Sequence, residues 1–296
     1  MKKPALKSLV TGIMEDEYLG ITQKNYALFC DFLKNNSGVD LKSNRAYLVN
    51  SRLSPLIDAF GCKNLNEFIS KILISNDAQM KKSVIEAMVT HESKWFRDGY
   101  PFEFLLQNII PSVKDKSKDV KIWCAGCSRG QEPYSIAMSI LSNCISLRGL
   151  PVSRIRIFAT DLSMAVLNFA RDGVYSATDL SRGLDDRYIK SFFIPVDHSC
   201  TQYRISDEVK SMVSFRHHNL VNTENRPFLG KCDAIFCRNV MIYFDSETKI
   251  KVLNHLKGSL KTGGYLILGS SEFIPEEVSD MEMRRFSNGV VYQKVT

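Results

Sequence analysis

The chain has 296 residues, 44% apolar and 24% charged, with a formal net charge of +7, which is enough for a sizeable core in one large domain or two ordinary ones. No run approaches the roughly 18 apolar residues that span a bilayer, so no membrane insertion is expected; Lys7, then Glu15, Asp16 and Glu17, interrupt the N-terminus and exclude a secretory signal. The first 105 residues carry 14 Lys and Arg against 12 Asp and Glu, so no basic arm calls for nucleic acid, and eight scattered cysteines read as reduced thiols of a cytoplasmic protein.

Residues 17–90 alternate helical patterns with short polar breaks. Tyr26, Phe29, Cys30, Phe32 and Leu33 form one stripe that ends at Asn35-Asn36-Ser37-Gly38. A second runs from Tyr47 to Phe60 and stops at Gly61, with Pro55 expected to bend or break it. Arg45 and Arg52 are seven apart, about two turns, and share a face that reads as solvated on its own. Helices over Leu65–Ile74, starting after Asn64, and Ala78–Met88 complete a small all-α domain. The following stretch, VTHESKWFRDGYPFEFLLQNIIPSV, is too charged and aromatic for a bland linker. It either lines a cleft or is a linker anchored by its aromatics.

Residues 121–138 read KIWCAGCSRGQEPYSIAM: a strand (Ile122, Trp123, Cys124), a small-residue turn through Gly126 and Gly130, and a helix opening at Pro133. Such a turn at the carboxyl end of the first strand of an open α/β sheet is where nucleotide-like ligands sit. Ser128 occupies the place of the middle glycine in a dinucleotide fingerprint, and no Lys follows Gly130 as a phosphate loop requires. Glu132 would repel phosphate and suits an ammonium group. A ligand with ribose, adenine and a cationic amino-acid end fits, namely S-adenosylmethionine; a tight turn with no ligand is the alternative. Cys124 and Cys127 lack a second pair for zinc, since Cys232 and Cys237 are too widely spaced, and no metal is expected.

Arg154–Thr160 reads as the second strand, ending at Asp161, 31 residues after Gly130. That acid is placed to accept both ribose hydroxyls or, with Ser163, to cap the helix Met164–Ala170; the spacing favours ribose. Residues 173–214 interrupt the alternation with runs at Phe192–Val196, Gln202–Ile205 and Met212–Arg216, an insertion carrying a small antiparallel sheet. His217, His218, Asn219 and Leu220 end the third main strand, and adjacent histidines on a strand face opposite ways. Ala234–Cys237 reads as a buried central strand delivering Arg238 and Asn239 beside Gly126 if the sheet is parallel. A helix over Ser246–Leu260 closes at Gly263-Gly264, a strand covers Tyr265–Gly269, and a hairpin turns around Asn288-Gly289.

THESKWFRD, AGCSRGQEPYSIAM, ATDLS, HNL and above all CRNVMIYFD together resemble the CheR-type chemotaxis receptor methyltransferases over nearly the whole chain after about residue 17. The resemblance implies an α/β fold: a Rossmann-like S-adenosylmethionine-dependent methyltransferase domain with an inserted small antiparallel β-subdomain, preceded by a small all-α domain. The expected limits are 17–90 for the helical domain, 91–120 for the linker and entry, and 121–296 for the methyltransferase domain with its insertion at about 173–214. It implies transfer of a methyl group to glutamate carboxylates on cytoplasmic helices of methyl-accepting chemoreceptors, by a cytoplasmic monomer. A non-catalytic S-adenosylmethionine-sensing module is the alternative function; the missing middle glycine already disfavours a dehydrogenase.

By motif, the resemblance implies cofactor contacts at His91, Ser93, Arg97, Gly126, Glu132, Asp161, Asn219, Leu220, Arg238 and Asn239. Arg97 and Tyr243 are implied nearest the transferred methyl. The family commonly reads Asn, Glu, Thr where this chain has His91, Glu92, Ser93. Arg238-Asn239-Val240-Met241 also stands where an amino-group methylase would carry Asn-Pro-Pro-Tyr. In the branch that docks on a receptor's C-terminal peptide, the β-subdomain adds that peptide as a strand beside a glycine-rich loop. Here FFIPVDHSCTQYRI lacks glycine and contains Pro195, so no tether is expected. Recognition is expected instead through Arg45, Arg52 and neighbouring positive charge.

Overall fold

A computed structural model describes residues 17–18, 20–41, 45–113, 115, 117–143, 147, 149–224, 227 and 230–296. The N-terminal residues on which a secretory signal was excluded lie largely outside them. The chain divides into two compact units, Met1–Val89 and Thr90–Thr296.

In the first unit a two-residue pairing of β1 (Glu17–Tyr18) and β2 (Ile21–Thr22) precedes four helices: α1 (Gln23–Ser37), α2 (Ala46–Ala59), α3 (Leu65–Ile74) and α4 (Ala78–Met88). Their starts follow from side chains that satisfy first-turn N–H groups. Thr22 accepts from Asn25 N, Asn64 from Glu67 N, and Asp77 from Gln79 N and Met80 N. Phe29, Leu33, Val49, Leu53, Phe68, Ile69, Ile72 and Val84 are fully buried and form this unit's core. Contrary to expectation, α2 runs through Pro55 to Ala59. Pro55 removes only one intrahelical donor and is exposed, while Val49 and Leu53 fasten the helix to the core.

In the second unit, α5 (Tyr100–Phe104), a π-helical turn and α6 (Ile110–Ser112) lead into β3 (Val120–Ala125), α7 (Gln131–Ser142), β4 (Ile155–Asp161) and α8 (Met164–Asp172). Then follow β5 (Val174–Ser176), α9 (Ala177–Leu180), α10 (Asp186–Phe192), β6 (Phe193–Pro195), β7 (Gln202–Ile205), α11 (Asp207–Ser211) and β8 (Val213–His217). The chain ends with β9 (Cys232–Cys237), α12 (Ser246–Gly258), β10 (Leu260–Leu268), β11 (Met281–Phe286) and β12 (Gly289–Lys294). The main sheet has the order β11-β12-β10-β9-β3-β4-β8, parallel from β10 to β8, with β12 antiparallel to β10 and to β11.

The period-two pleat of the central strands sorts their side chains into two cores. Ile122, Cys124, Ala234, Phe236 and Ile267 join Tyr134, Ile136 and Leu167 of α7 and α8. Trp123, Ala125, Ile235, Cys237, Leu266 and Leu268 join Val252, Leu253 and Leu256 of α12. Strands buried on both faces explain the unbroken apolar run CDAIFC.

Three sequence expectations are corrected. The run Met212–Arg216 belongs to β8 of the main sheet, paired with β4, so the small sheet is β5-β7-β6; its third strand, three residues long, had no readable alternation. Gly263-Gly264 does not close α12, which ends at Gly258, but lies within β10 at a break in its register with β9. The last hairpin pairs Phe286 with Gly289, so Ser287 and Asn288 make the turn. Gly289 is needed for space: a Cβ there would stand 2.3 Å from Tyr100.

Candidate active site

The carboxyl ends of β3, β4, β8 and β9 meet at one edge of the sheet, with the order changing direction between β3 and β9, the place where α/β sheets bind ligands. After β3 the chain turns through Gly126 (φ +80°), whose N–H, with that of Cys127, donates to Thr160 O at 2.8 and 2.9 Å. A Cβ on Gly126 would stand 2.4 Å from Val240 Cγ2, so the loops after β3 and β9 touch only because this residue is glycine. Ser128 is left-handed at φ +49°. Its N–H donates to Asp161 Oδ2 (2.8 Å) and its hydroxyl to His91 O (3.0 Å). Burial pushes the Cys124 and Cys127 thiols well above their ordinary range, so both stay protonated and pack the turn.

Asp161 is buried, and its Oδ1 also accepts from Ser163 N at 3.0 Å. Burial raises its pKa, opposed by these N–H groups and by nearby His91. The cap of α8 is Ser163, whose side chain accepts from Val166 N, so Asp161 is not the capping residue. His218 N donates to Asp161 O at 3.0 Å, bringing Asn219 and Leu220 to the same edge. Asn219 Oδ1 accepts from Val221 N (3.3 Å), and Leu220 is buried.

Arg238 is the hub. Its side chain, 1% exposed, gives Nη1 to Glu132 Oε2 at 2.9 Å and Nη2 to Arg97 O at 2.8 Å and to the Asp98 carboxylate. Burial raises the pKa of Glu132 against the pull of Arg238 and then Arg97, so the Arg97 guanidinium lies within electrostatic reach of Glu132. The Arg97 side chain makes no hydrogen bond or ion pair with the described residues. Its backbone sits between Phe96 (φ +46°) and Asp98 (φ +67°), left-handed conformations that bulky residues adopt only when the surroundings impose them. Phe96 N donates to Ser135 Oγ at 3.1 Å, and the Phe96 ring stacks on Tyr188 at 4.3 Å. Trp95 is locked by Nε1 to Asp179 O (3.0 Å) and by edge contacts with Tyr175 and Phe193. The charged stretch thus has anchored aromatics, and Arg97 lies between them and the hub.

Asn239 is left-handed (φ +58°), and its N–H donates to Glu272 Oε2 at 2.7 Å. Tyr243 ends a single 3-10 turn, Met241–Tyr243. Ser93 is half-buried with no side-chain hydrogen bond among the described residues. Arg45 and Arg52 belong to the other unit: Arg45 is exposed at the start of α2, while Arg52 Nη1 donates to Met88 O. Glu272 was missed by sequence reasoning, and Asp98 was read only as part of the charged stretch that either lines a cleft or anchors a linker. The readable signal for Glu272 was an acid just past the end of a buried strand.

The residues fit S-adenosylmethionine. Among the described residues Asn239 Oδ1 is buried without a partner and Glu132 Oε1 accepts nothing, and the Asp161 carboxylate has acceptor capacity beyond its backbone bonds from Ser128, Ser163 and Leu162. This acceptor-rich edge matches a ligand presenting an ammonium and ribose hydroxyls. No group of His, Cys, Asp and Glu among the described residues has the geometry of a metal site, and no helix there is long and apolar enough to cross a membrane.

Two family models match the chain: the CheR methyltransferase all-alpha domain over residues 24–89 and the CheR methyltransferase SAM binding domain over residues 91–290. Chemotaxis protein methyltransferase 1 of Vibrio cholerae is 40% identical over 273 residues, covering 92% of this chain and 98% of that protein. Chemotaxis protein methyltransferase 1 of Pseudomonas aeruginosa is 37% identical, covering 91% and 97%. The corresponding protein of Borreliella burgdorferi is 33% identical, covering 86% and 90%. With both units matched by these models and relatives, the chain belongs to the CheR family of S-adenosylmethionine-dependent methyltransferases.

Proposed function

We propose that this protein esterifies glutamate side chains on the cytoplasmic helices of methyl-accepting chemoreceptors. The observation that carries the reading is Arg97, whose side chain makes no hydrogen bond or ion pair with the described residues although its backbone oxygen is bonded to the Arg238 hub. A planar cation left open beside the hub suits a carboxylate acceptor better than an amine. Glu132 would hold the cofactor's ammonium group and Asp161 its ribose hydroxyls.

A glutamate carboxylate, with a pKa near 4.3, is already ionised at neutral pH, so the site needs no general base. When bound, the cofactor supplies an electrophilic methyl: a carboxylate oxygen pair forms the O–C bond while the C–S pair leaves with sulfur. The protein's share is alignment and desolvation. Arg97, uncommitted to any side chain of the described residues and held by anchored neighbours, grips one carboxylate oxygen and leaves the other to attack, and Tyr243 donates to the same group.

The small sheet supports tether-free recognition. Val196 N donates to Gln202 O (2.9 Å) and Phe192 O accepts from Ser206 N (2.8 Å), so Pro195 turns its backbone away from β7. An added strand would need an N–H at that place. Recognition rests instead on Arg45, Arg52 and neighbouring positive charge. Micromolar binding of a receptor C-terminal peptide, with a large rate loss on removing the receptor tail, overturns this part. The main test is incubation of the protein with labelled cofactor and receptor-bearing membranes. Base-labile label on the receptor is expected; base-stable label, or none, refutes the reading and in the latter case favours the sensing module.

A further inference from the structure

Glu272 lies outside every motif used above, yet it is bonded to the loop that bears Asn239 and Tyr243. Its Oε2 accepts from Asn239 N at 2.7 Å and from Gly269 N at 2.8 Å, and its Oε1 accepts from Met241 N at 2.8 Å. Three backbone donors on one carboxylate make charge-assisted bonds, the strong kind. They join the loop after β9 to the residue that follows β10, and they hold Asn239 in its left-handed conformation. A Cβ on Gly269 would stand 2.8 Å from Glu272 Oε2 and 3.0 Å from Asn239 N, so this junction also requires glycine. Between its bonded ends the loop carries Val240, whose methyl group fills the space above Gly126, and it continues into the 3-10 turn that ends at Tyr243.

We infer that Glu272 is a positioning residue for methyl transfer: by accepting from the Asn239 and Met241 N–H groups, it fixes the loop that aims Tyr243. This rests on the role proposed above for Tyr243. Of the cofactor contacts, those of Glu132, Asp161 and Asn219 do not depend on this junction and that of Asn239 does, so its loss acts on turnover more than on cofactor binding.

Glu272→Gln keeps the shape but sets an amide NH2 against at least one backbone N–H, and it removes the charge. The expected result is a kcat lowered about 10- to 100-fold, the scale of a misplaced catalytic group. Cofactor affinity should fall by less than the kcat and by no more than about tenfold, the scale of the one Asn239 contact, with far less than the full kcat loss when the change is made in Tyr243→Phe, because residues acting as a unit are not additive. A kcat within twofold of wild type, an undiminished loss in the Tyr243→Phe background, or equal losses of kcat and cofactor affinity overturns the inference. The second readout is nuclear magnetic resonance. In Glu272→Gln the Asn239 and Met241 amide signals should shift together and both amides should exchange faster, because both donate to this side chain. Asn239 and Met241 amide signals that ignore the substitution overturn the inference whatever happens to turnover. A wild-type protein that transfers no methyl sinks the proposed function, while the amide readout still decides the contact.

Discussion

Replacing Arg238 by methionine removes the cation on which two carboxylates depend. The Arg238 side chain is 1% exposed and that of Glu132 14% exposed, so Glu132 is left buried and unpaired, while Asp98, 32% exposed, recovers partly through water. Breaking a buried pair by removing one partner costs about 3–5 kcal/mol. At about 2–4 °C per kcal/mol for a unit of this size, Tm falls by about 6–20 °C. Burial already raises the pKa of Glu132 against the pull of Arg238, so removing Arg238 raises it further and favours the neutral acid, which lacks the charge that suits an ammonium group. Cofactor affinity therefore falls, and in the variant it recovers as pH rises and Glu132 ionises again. Glu132→Gln combined with Arg238→Met removes the stranded charge and restores much of the Tm without restoring affinity. Scanning calorimetry and titration calorimetry measure both quantities. A single variant that melts within 2 °C of wild type, a scale set by the smallest expected change per kcal/mol, or a double variant whose Tm loss is the sum of the single ones, refutes the hub.

Gly126→Ala should lower cofactor affinity about tenfold or more, since the new Cβ meets both a positive φ and Val240. Val240→Ala in the same chain should return part of it by calorimetry. Asp161→Ala should weaken cofactor binding by about 1.5–3 kcal/mol; unchanged affinity would leave Asp161 only the task of holding Ser128 and Ser163. Arg97→Ala should leave cofactor binding within a few fold while lowering turnover about 10²-fold or more, and Arg97→Lys should rescue poorly because an ammonium lacks the planar fork; a wild-type rate in either removes Arg97 from the mechanism. Burial, then the neighbouring His255 and His217, lowers the His218 pKa from 6.5 to about 4, so the folded protein binds fewer protons than the unfolded chain. This contribution is complete above about pH 6.5 and is lost as pH falls through about 4. His218→Phe should flatten Tm against pH across that window, and an unchanged slope refutes the assignment.

Local signals were legible in the sequence and distant ones were not. Asn64 and Asp77 stand where an N-cap belongs, and α3 and α4 start directly after them. The run CDAIFC reads as a strand buried on both faces because both cores claim it in alternation. The strand Val174–Ser176 is too short to show a period, and Gly263-Gly264 resembles a helix stop because a bulge and a cap use the same residue. At the site, the turn around Gly126 is written in consecutive residues. The roles of Asp98 and Glu272 depend on partners 140 and 33 residues away, and the left-handed backbone at Phe96 and Ser128 is imposed by packing that no local propensity reveals. Pro55 shows the converse: a strong local breaker is overridden by a buried helix face.

The central claim is that the methyl acceptor is a glutamate carboxylate aligned by Arg97. The most direct measurement maps the product by mass spectrometry after incubating a receptor cytoplasmic fragment with the protein and S-adenosylmethionine. A mass gain of one CH2 group is predicted on glutamate side chains, removed by mild base, and strongly reduced with Arg97→Ala. Modification on lysine, asparagine or glutamine, or a base-resistant product formed equally by the Arg97 variant, would contradict the account.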